Sequence, residues 1–252
     1  MQARLRVILS ELDKRERVTV DQLSTLLGVS KVTIRSDLEI LHRQGLIHRT
    51  RGGALRPIAD HAELPLEETR KQRSLEKRRI GAAAAALIEE GDTVFLDVGS
   101  TCTEIARSLS PLLRNVTIVT SGLNIAFELE KQSNVTVVVT GGTLRRLQHS
   151  LVNPFGLQLI TSLHADKLFL GCNGVSVQAG ITSRNLEEAE IKRCMVGNAR
   201  QTIVVADHSK LGEISTAAVA PLSAVSQLIT DRGAASAPLE ELRACGLNLV
   251  TV

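Results

Sequence analysis

The stretch 19–56, TVDQLSTLLGVSKVTIRSDLEILHRQGLIHRTRGGALR, decides how the N-terminal part of the chain folds. Val20, Leu23, Leu26 and Leu27 recur at helical spacing behind Thr19, whose hydroxyl can cap the first turn. Gly28-Val29 makes a turn, with Gly28 suited to the left-handed conformation that ends a helix. Ser30 then caps a further helix with Ile34, Leu38 and Leu41 on its apolar face. Residues 46–51 alternate as a strand, Gly52-Gly53 permit a tight hairpin, and 54–56 begin the return strand that Pro57 ends. Helix, short turn, helix and basic hairpin predict a winged helix-turn-helix. Upstream, Leu5, Ile8, Leu9 and Leu12 predict a helix over 4–14, broken at 15–18.

This fold supplies a partner. Recognition helices meet base edges with their N-terminal residues, and here Ser30, Lys31, Thr33, Arg35 and Ser36 occupy that turn. Arginine pairs bidentately with guanine, and Ser or Thr serves any base. Asp37 is expected to orient Arg35 or another basic side chain. Arg49, Arg51 and Arg56 lie along the hairpin, with Gly52 and Gly53 at its tip, suited to phosphates or the minor groove.

Composition narrows the partner to double-stranded DNA. Aromatic residues make up 2% of the 252 residues, with no Trp and no Tyr, whereas single-strand sites stack bases on aromatic rings. Residues 1–58 hold 11 Lys and Arg against 6 Asp and Glu, a net of +5, within a chain of net +3. The electrostatic footprint is therefore confined to one end. Cys102, Cys172, Cys194 and Cys245 are scattered without metal-ligand spacing, which reads as small buried hydrophobes in a reducing compartment. No metal and no cofactor are expected. Nor does any apolar run approach the ~20 residues of a membrane span, so a cytoplasmic protein is expected.

The chain divides into a DNA-binding domain over 1–58, a linker over 59–76 and a second domain over 77–252. A helix is expected to run from the linker through the alanines to Ile88. Its basic run, Arg70, Lys71, Arg73, Lys77, Arg78 and Arg79, reads first as a solvated face, with contact to DNA or an anionic ligand as the alternative.

From Gly91 onward apolar runs alternate with helical segments. Strands are expected at 93–98, 116–120, 135–140, 167–170, 202–206, 227–230 and 247–252. Helices are expected at 103–109, 123–131, 154–163, 187–200 and 238–244. This is the pattern of a mostly parallel α/β sheet covered on both faces. In such sheets ligands sit at the carboxyl ends of the strands. Those ends hold Asp97, Gly99, Ser100, Thr101 and Thr103; then Thr120, Ser121, Gly122 and Asn124; then Gly141 and Gly142; then Asn173; and finally Lys210. Small residues, hydroxyls and helix N-terminal amides suit a phosphate, and Lys210 supplies charge. The implied effector is small, polar and phosphorylated. A Walker A sequence and a paired glycine motif with a ribose-binding acid are both lacking, which disfavours ATP and NAD.

Arg4, Ile8, Leu12, Ser30, Thr33, Ile34, Arg35, Asp37 and Leu38 form a spaced signature that resembles the N-terminus of DeoR-family bacterial transcriptional regulators. HRTRGGA resembles their wing, with Ser36 standing where the family usually has a basic or amide residue. LDVGSTCTEIARSL, VTSGLNIAFEL, VVTGGTLRR, ADKLFLGCNGVS, EIKRCMVGNAR and VVADHSKLG resemble the family's sugar-phosphate sensor domain, which is similar in fold to ribose-5-phosphate isomerase. The resemblance implies a repressor of a sugar-catabolic operon, released by a phosphorylated intermediate and acting as a homo-oligomer. The alternative is a sugar-phosphate isomerase joined to a DNA-binding module. Against it, the isomerases' acidic loop is replaced here by Cys172 and Asn173, leaving Glu190 or Lys192 near the expected position of the catalytic glutamate. Isomerisation needs a positioned acid and base, so no catalytic residue is assigned.

Overall fold

The computed structural model describes residues 2–15, 17–44, 46–50, 52–55 and 63–252. They fall into two units, Met1–Leu64 and Pro65–Val252.

In the first unit, α1 (Gln2–Arg15), β1 (Arg17–Thr19), α2 (Val20–Leu27), α3 (Lys31–Arg43), β2 (His48–Thr50) and β3 (Gly53–Leu55) follow in order. Thr19 and Gln22 form a reciprocal capping box, Thr19 Oγ1 accepting from Gln22 N at 3.1 Å and Gln22 Oε1 from Thr19 N at 2.9 Å. Gly28 ends α2 with φ +62°. Ile8, Leu12, Leu23, Ile34, Leu38 and Leu41, each no more than 1% exposed, form the core. Arg17 and Val18, expected to be part of the break between helices, belong with the capping Thr19 to the strand β1, paired antiparallel with β3 in the order β1-β3-β2. Gly53 makes that pairing possible, since a Cβ there would lie 2.0 Å from the Val18 carbonyl oxygen.

The second unit opens with α4 (Leu66–Lys71) and α5 (Ser74–Ala85). The stretch expected to be a linker is therefore helical from Leu66, whose side chain is 1% exposed. The helix expected to reach Ile88 ends at Ala85. There follow β4 (Thr93–Leu96), α6 (Ser100–Ser108), β5 (Val116–Thr120), α7 (Leu123–Leu129), β6 (Val135–Val139), β7 (Thr143–Arg145), β8 (Ser150–Val152) and α8 (Phe155–Thr161). Then come β9 (Ala165–Gly171), β10 (Gly174–Ser176), β11 (Gly180–Ser183), α9 (Leu186–Gly197), β12 (Ala199–Val205), β13 (Ala217–Ala220), β14 (Gln227–Thr230), α10 (Ser236–Ala244) and β15 (Leu249–Thr251).

Seven strands form one parallel sheet in the order β15-β14-β12-β9-β4-β5-β6. Side chains alternate across it. Leu168 and Leu170 pack with Ile160, Ile191, Met195 and Leu242 on one face. Phe169 packs with Ile80, Ile105, Ala106 and Ile125 on the other. Parallel strands buried on both faces explain the near-continuous apolar runs. The hairpin β7–β8 and the small antiparallel sheet β10-β11-β13 stand apart from this sheet. Among the described residues no helix is long and apolar enough to cross a membrane.

Candidate DNA-reading face and effector site

On the first unit, Ser30 caps α3 by accepting from Thr33 N at 3.2 Å, and its hydroxyl lies 2.9 Å from Thr33 Oγ1. Both hydroxyls thus serve the helix start. Lys31, Arg35 and Ser36 are exposed beside Val32, which is 71% exposed. Its residue type alone would place Val32 in a core. Its exposure at the start of the recognition helix suits contact with a thymine methyl. Asp37 orients Arg4, with contacts of 2.5 Å to Nε and 2.9 Å to Nη2, not Arg35. Arg49 donates to Glu39 of α3 at 2.6 Å, which ties the hairpin to that helix. Gly52 is exposed at the tip, and its carbonyl accepts from Val20 N at 2.8 Å. Arg51 and Arg56 lie outside the described residues, as does the expected boundary at residue 58.

In the second unit, β4 lies between β9 and β5. The chain turns outward in opposite directions from β4 and β9, and in such sheets the ligand crevice lies at the carboxyl ends of the strands where the order reverses. Asp97, 1% exposed, sits there. Its Oδ2 accepts from Gly171 N at 2.9 Å and from the Lys192 ammonium of α9, which also reaches Gly171 O at 3.1 Å. Burial pushes the Asp97 carboxyl up against the opposing pull of Lys192. Burial alone would lower Lys192, but the Asp97 and Glu188 carboxylates raise it above the ordinary lysine value. Glu188 in turn holds Arg145 and accepts from Ser150 Oγ at 2.5 Å, anchoring the hairpin β7–β8 to α9. The buried glutamate of α9 is thus Glu188. Glu190 is exposed and bonded to Asn153.

Across β9, the strand end of β12 holds Asp207, followed by a single 3-10 turn, His208–Lys210. Asp207, 1% exposed, accepts from Ser209 N at 3.1 Å and from Ser209 Oγ at 2.5 Å. Two cations approach it. Lys77 Nζ lies 4.0 Å away and Arg73 Nε 3.7 Å away, while Lys210 stands in the same turn and has no ion-pair partner among the described residues. Burial lowers the Lys77 ammonium, Asp207 opposes that, and Lys210 and Arg73 lower it further. Between the two carboxylates lies Cys172, whose thiol burial pushes up to about 12.

The basic run therefore divides. Arg78 and Arg79 are exposed, whereas Lys77 is buried at 6%. The sequence carried this signal, because Lys77, Ile80 and Ala84 share one helical stripe, the one that faces the sheet.

Other expected site residues have internal roles. Thr103 Oγ1 donates to Gly99 O at 2.8 Å and accepts from Asn124 Nδ2 at 2.7 Å. Thr120 Oγ1 accepts from Gly122 N at 3.0 Å, and Ser121, 2% exposed, takes Leu151 N on its carbonyl at 2.7 Å. Asn173 Oδ1 accepts from Arg184 N at 3.0 Å. Gly141 and Gly142 shape the turn after β6, Gly142 lying against the Val152 carbonyl. Gly99, Ser100 and Thr101 open α6, which lacks a side-chain cap. Its first amides are therefore free to meet an anion. Among the described residues no group of three His, Cys, Asp or Glu side chains is placed to hold a metal ion.

Residues 4–58 match the model of the DeoR-like helix-turn-helix domain, and 72–232 that of the DeoR C terminal sensor domain. The chain belongs to the DeoR family. It is a DNA-binding transcriptional regulator. It is 38% identical over 229 residues to the HTH-type transcriptional repressor GlcR of Bacillus subtilis, covering 91% of this chain and 88% of that one. Over 240 residues it is 33% identical to the HTH-type transcriptional regulator GolR of Listeria innocua, covering 95% and 94%. Ribose 5-phosphate isomerase from Plasmodium falciparum superposes on 53% of the chain and 51% of its own, with a TM-score of 0.39 and 13% identity.

Proposed function

We infer that this regulator is a cytoplasmic repressor of a sugar-catabolic operon, released from operator DNA by a phosphorylated sugar. The observation that carries the reading is the approach of Arg73 and Lys77 to the carboxylate of Asp207, with Lys210 in the turn that follows it. That part of the crevice has an excess of positive charge, whereas the Asp97–Lys192 and Glu188–Arg145 pairs balance one another. A phosphate monoester carries about −1.5 to −2 near neutral pH. It fits beside Asp207, with the Gly99-Ser100-Thr101 amides and hydroxyls completing its shell and the sugar extending toward Gly141 and Gly142. Thr103, Thr120, Ser121, Gly122, Asn124 and Asn173 shape that cradle from behind, and Asp97 fixes its floor.

On the DNA side, Lys31, Arg35 and Ser36 read base edges with Val32. Ser30 and Thr33 form the helix start that meets a phosphate, and Arg49, Arg51, Gly52 and Gly53 follow the backbone. Residues 1–58 form the DNA-binding domain and 77–252 the sensor, in a homo-oligomer that places paired recognition helices on half-sites. The chain is not an enzyme. Neutral Cys172 and Asn173 follow β9, and Lys192 is held by Asp97 and so cannot act as a free base.

The test is fluorescence anisotropy on labelled DNA from upstream of the chain's own gene and its neighbours, titrated with phosphorylated sugars. Release by one of them, and not by its unphosphorylated form, is expected. Turnover of pentose or hexose phosphates by the purified protein would overturn the sensor-only reading.

A further inference from the structure

The segment that opens the sensor unit supplies the two cations paired with Asp207, Arg73 and Lys77. α4 has six residues, and helices this short do not hold by themselves in water. Its hold is tertiary. Leu66 is buried, and its N–H donates to Leu147 O at 2.9 Å in the turn between β7 and β8. Glu67 Oε1 meets His149 Nε2 of the same turn at 3.0 Å. At the other end of α4, the Lys77 ammonium donates to the Thr69 carbonyl at 2.6 Å. The chain then passes through Arg73, a non-glycine residue at φ +50°, whose Nε donates to His208 Nε2 at 3.3 Å.

The same turn between β7 and β8 closes over the strand ends. His149 O accepts from Leu123 N at 2.9 Å, and the adjoining Leu151 N donates to Ser121 O at 2.7 Å. α4 is thus fastened to the crevice at both ends, and its C-terminal fastening is a lysine that faces Asp207.

We propose that α4 is a releasable strap, unlatched when an anionic phosphate at Asp207 draws the Lys77 ammonium from the Thr69 carbonyl and the Arg73 guanidinium from His208. This rests on the reading of the crevice as a phosphate site. The exchange is favoured because the ammonium then faces an anion, which adds the attraction of opposite charges that a neutral carbonyl lacks. It also meets the requirement that an effector shift an equilibrium only through differential contacts. Among the described residues α4 is the first helix after the DNA-binding unit, so its release changes the tether between them.

Hydrogen–deuterium exchange on the full chain tests the proposal, with ribose 5-phosphate, glucose 6-phosphate, fructose 6-phosphate and inorganic phosphate as probes. A probe that releases operator DNA should speed exchange of the amides of residues 66–71 by about tenfold or more, while β4 and β9 stay protected. A second arm uses no ligand. Leu66→Ala, and separately Glu67→Gln, should loosen α4 and weaken operator binding without any sugar, by about tenfold for Leu66→Ala, within the range of ordinary allosteric coupling. If a probe releases DNA while α4 keeps or gains protection, the strap is wrong and the sensor reading stands. If no phosphorylated probe binds, the sensor reading fails and release by phosphate fails with it. Unchanged operator affinity in Leu66→Ala, with α4 exchange accelerated, also overturns the strap, since α4 would then not report to the DNA-binding unit.

Discussion

Replacing Lys192 by Met should destabilise the sensor unit severely, and in a way that depends on pH. Lys192 and Asp97 are 5% and 1% exposed. The ammonium donates to the carboxylate and to Gly171 O at 3.1 Å, while Gly171 N donates to Asp97 Oδ2 at 2.9 Å. Methionine removes the cation and leaves Asp97 charged in the interior, a loss of about 3–5 kcal/mol for a broken buried pair. For a domain of this size that lowers Tm by roughly 6–20 °C.

The sign with pH follows from Asp97. Burial already raises its carboxyl, and without Lys192 it rises further above the unfolded value of about 3.9. The folded variant then binds a proton more tightly than the unfolded chain. Its stability therefore increases as pH falls from 7 toward 5, by up to about 1.4 kcal/mol per unit. Urea unfolding followed by far-UV circular dichroism suits a chain without Trp or Tyr. Asp97→Asn combined with Lys192→Met should recover much of the loss, because an amide needs no counter-charge. A loss under about 1 kcal/mol, or a penalty that deepens on acidification, would refute the argument that a charged pair forms the floor of the crevice.

Three further outcomes are expected. Lys210→Met should leave operator binding intact and weaken response to the phosphorylated effector about 10–100-fold, the value of a lost charge-assisted bond of about 1.5–3 kcal/mol, as read by anisotropy titration; an unchanged response places the phosphate elsewhere. Gly53→Ala sets a Cβ 2.0 Å from the Val18 carbonyl oxygen, so the hairpin must shift at a cost of about 1–3 kcal/mol. Operator affinity should fall while the sensor unit melts as before, and normal DNA binding would show that the hairpin is not used. With iodoacetamide at pH 8, exposed Cys245 should label first by mass spectrometry, since Cys102 is buried and the Cys172 thiol, near 12, is thiolate in only about one part in 10⁴; fast labelling at Cys172 would mean that the crevice opens.

The helices other than α4 and the seven strands of the parallel sheet were legible because their signals are local. Caps at Thr19 and Ser30, the turn at Gly28 and apolar runs such as TVFL and VTIVT each specify their own conformation. The strands that escaped notice are short and depend on distant partners. β1 is three residues defined by its pairing with β3, and β7–β8 is held by Glu188, 38 residues beyond Ser150. Cys245, expected to be buried, is exposed because it falls at the end of α10, beyond the face that Leu242 buries. Asp37 found Arg4 rather than its helical neighbour because the three-helix core brings the start of α1 against α3.

Charge balance explains why the candidate site was read in part. The strand-end hydroxyls and amides at Thr103, Thr120, Asn124 and Asn173 announce themselves by type, yet each is consumed by its own loop. The groups that distinguish one half of the crevice from the other are ionic, and they come from segments far apart in the chain: 73–77, 97, 188–192 and 207–210. Asp97 and Lys192 neutralise each other, so that half can bear the load of the fold at any effector concentration. Around Asp207 the cations outnumber the carboxylate, and one of them, Lys77, also fastens α4. A protein that had to hold its effector and nothing more could place that lysine anywhere with access to the phosphate. Here the same ammonium reaches both Asp207 and the Thr69 carbonyl of α4, so an anion at Asp207 would compete for a contact that α4 uses, which is the differential contact the proposed strap requires.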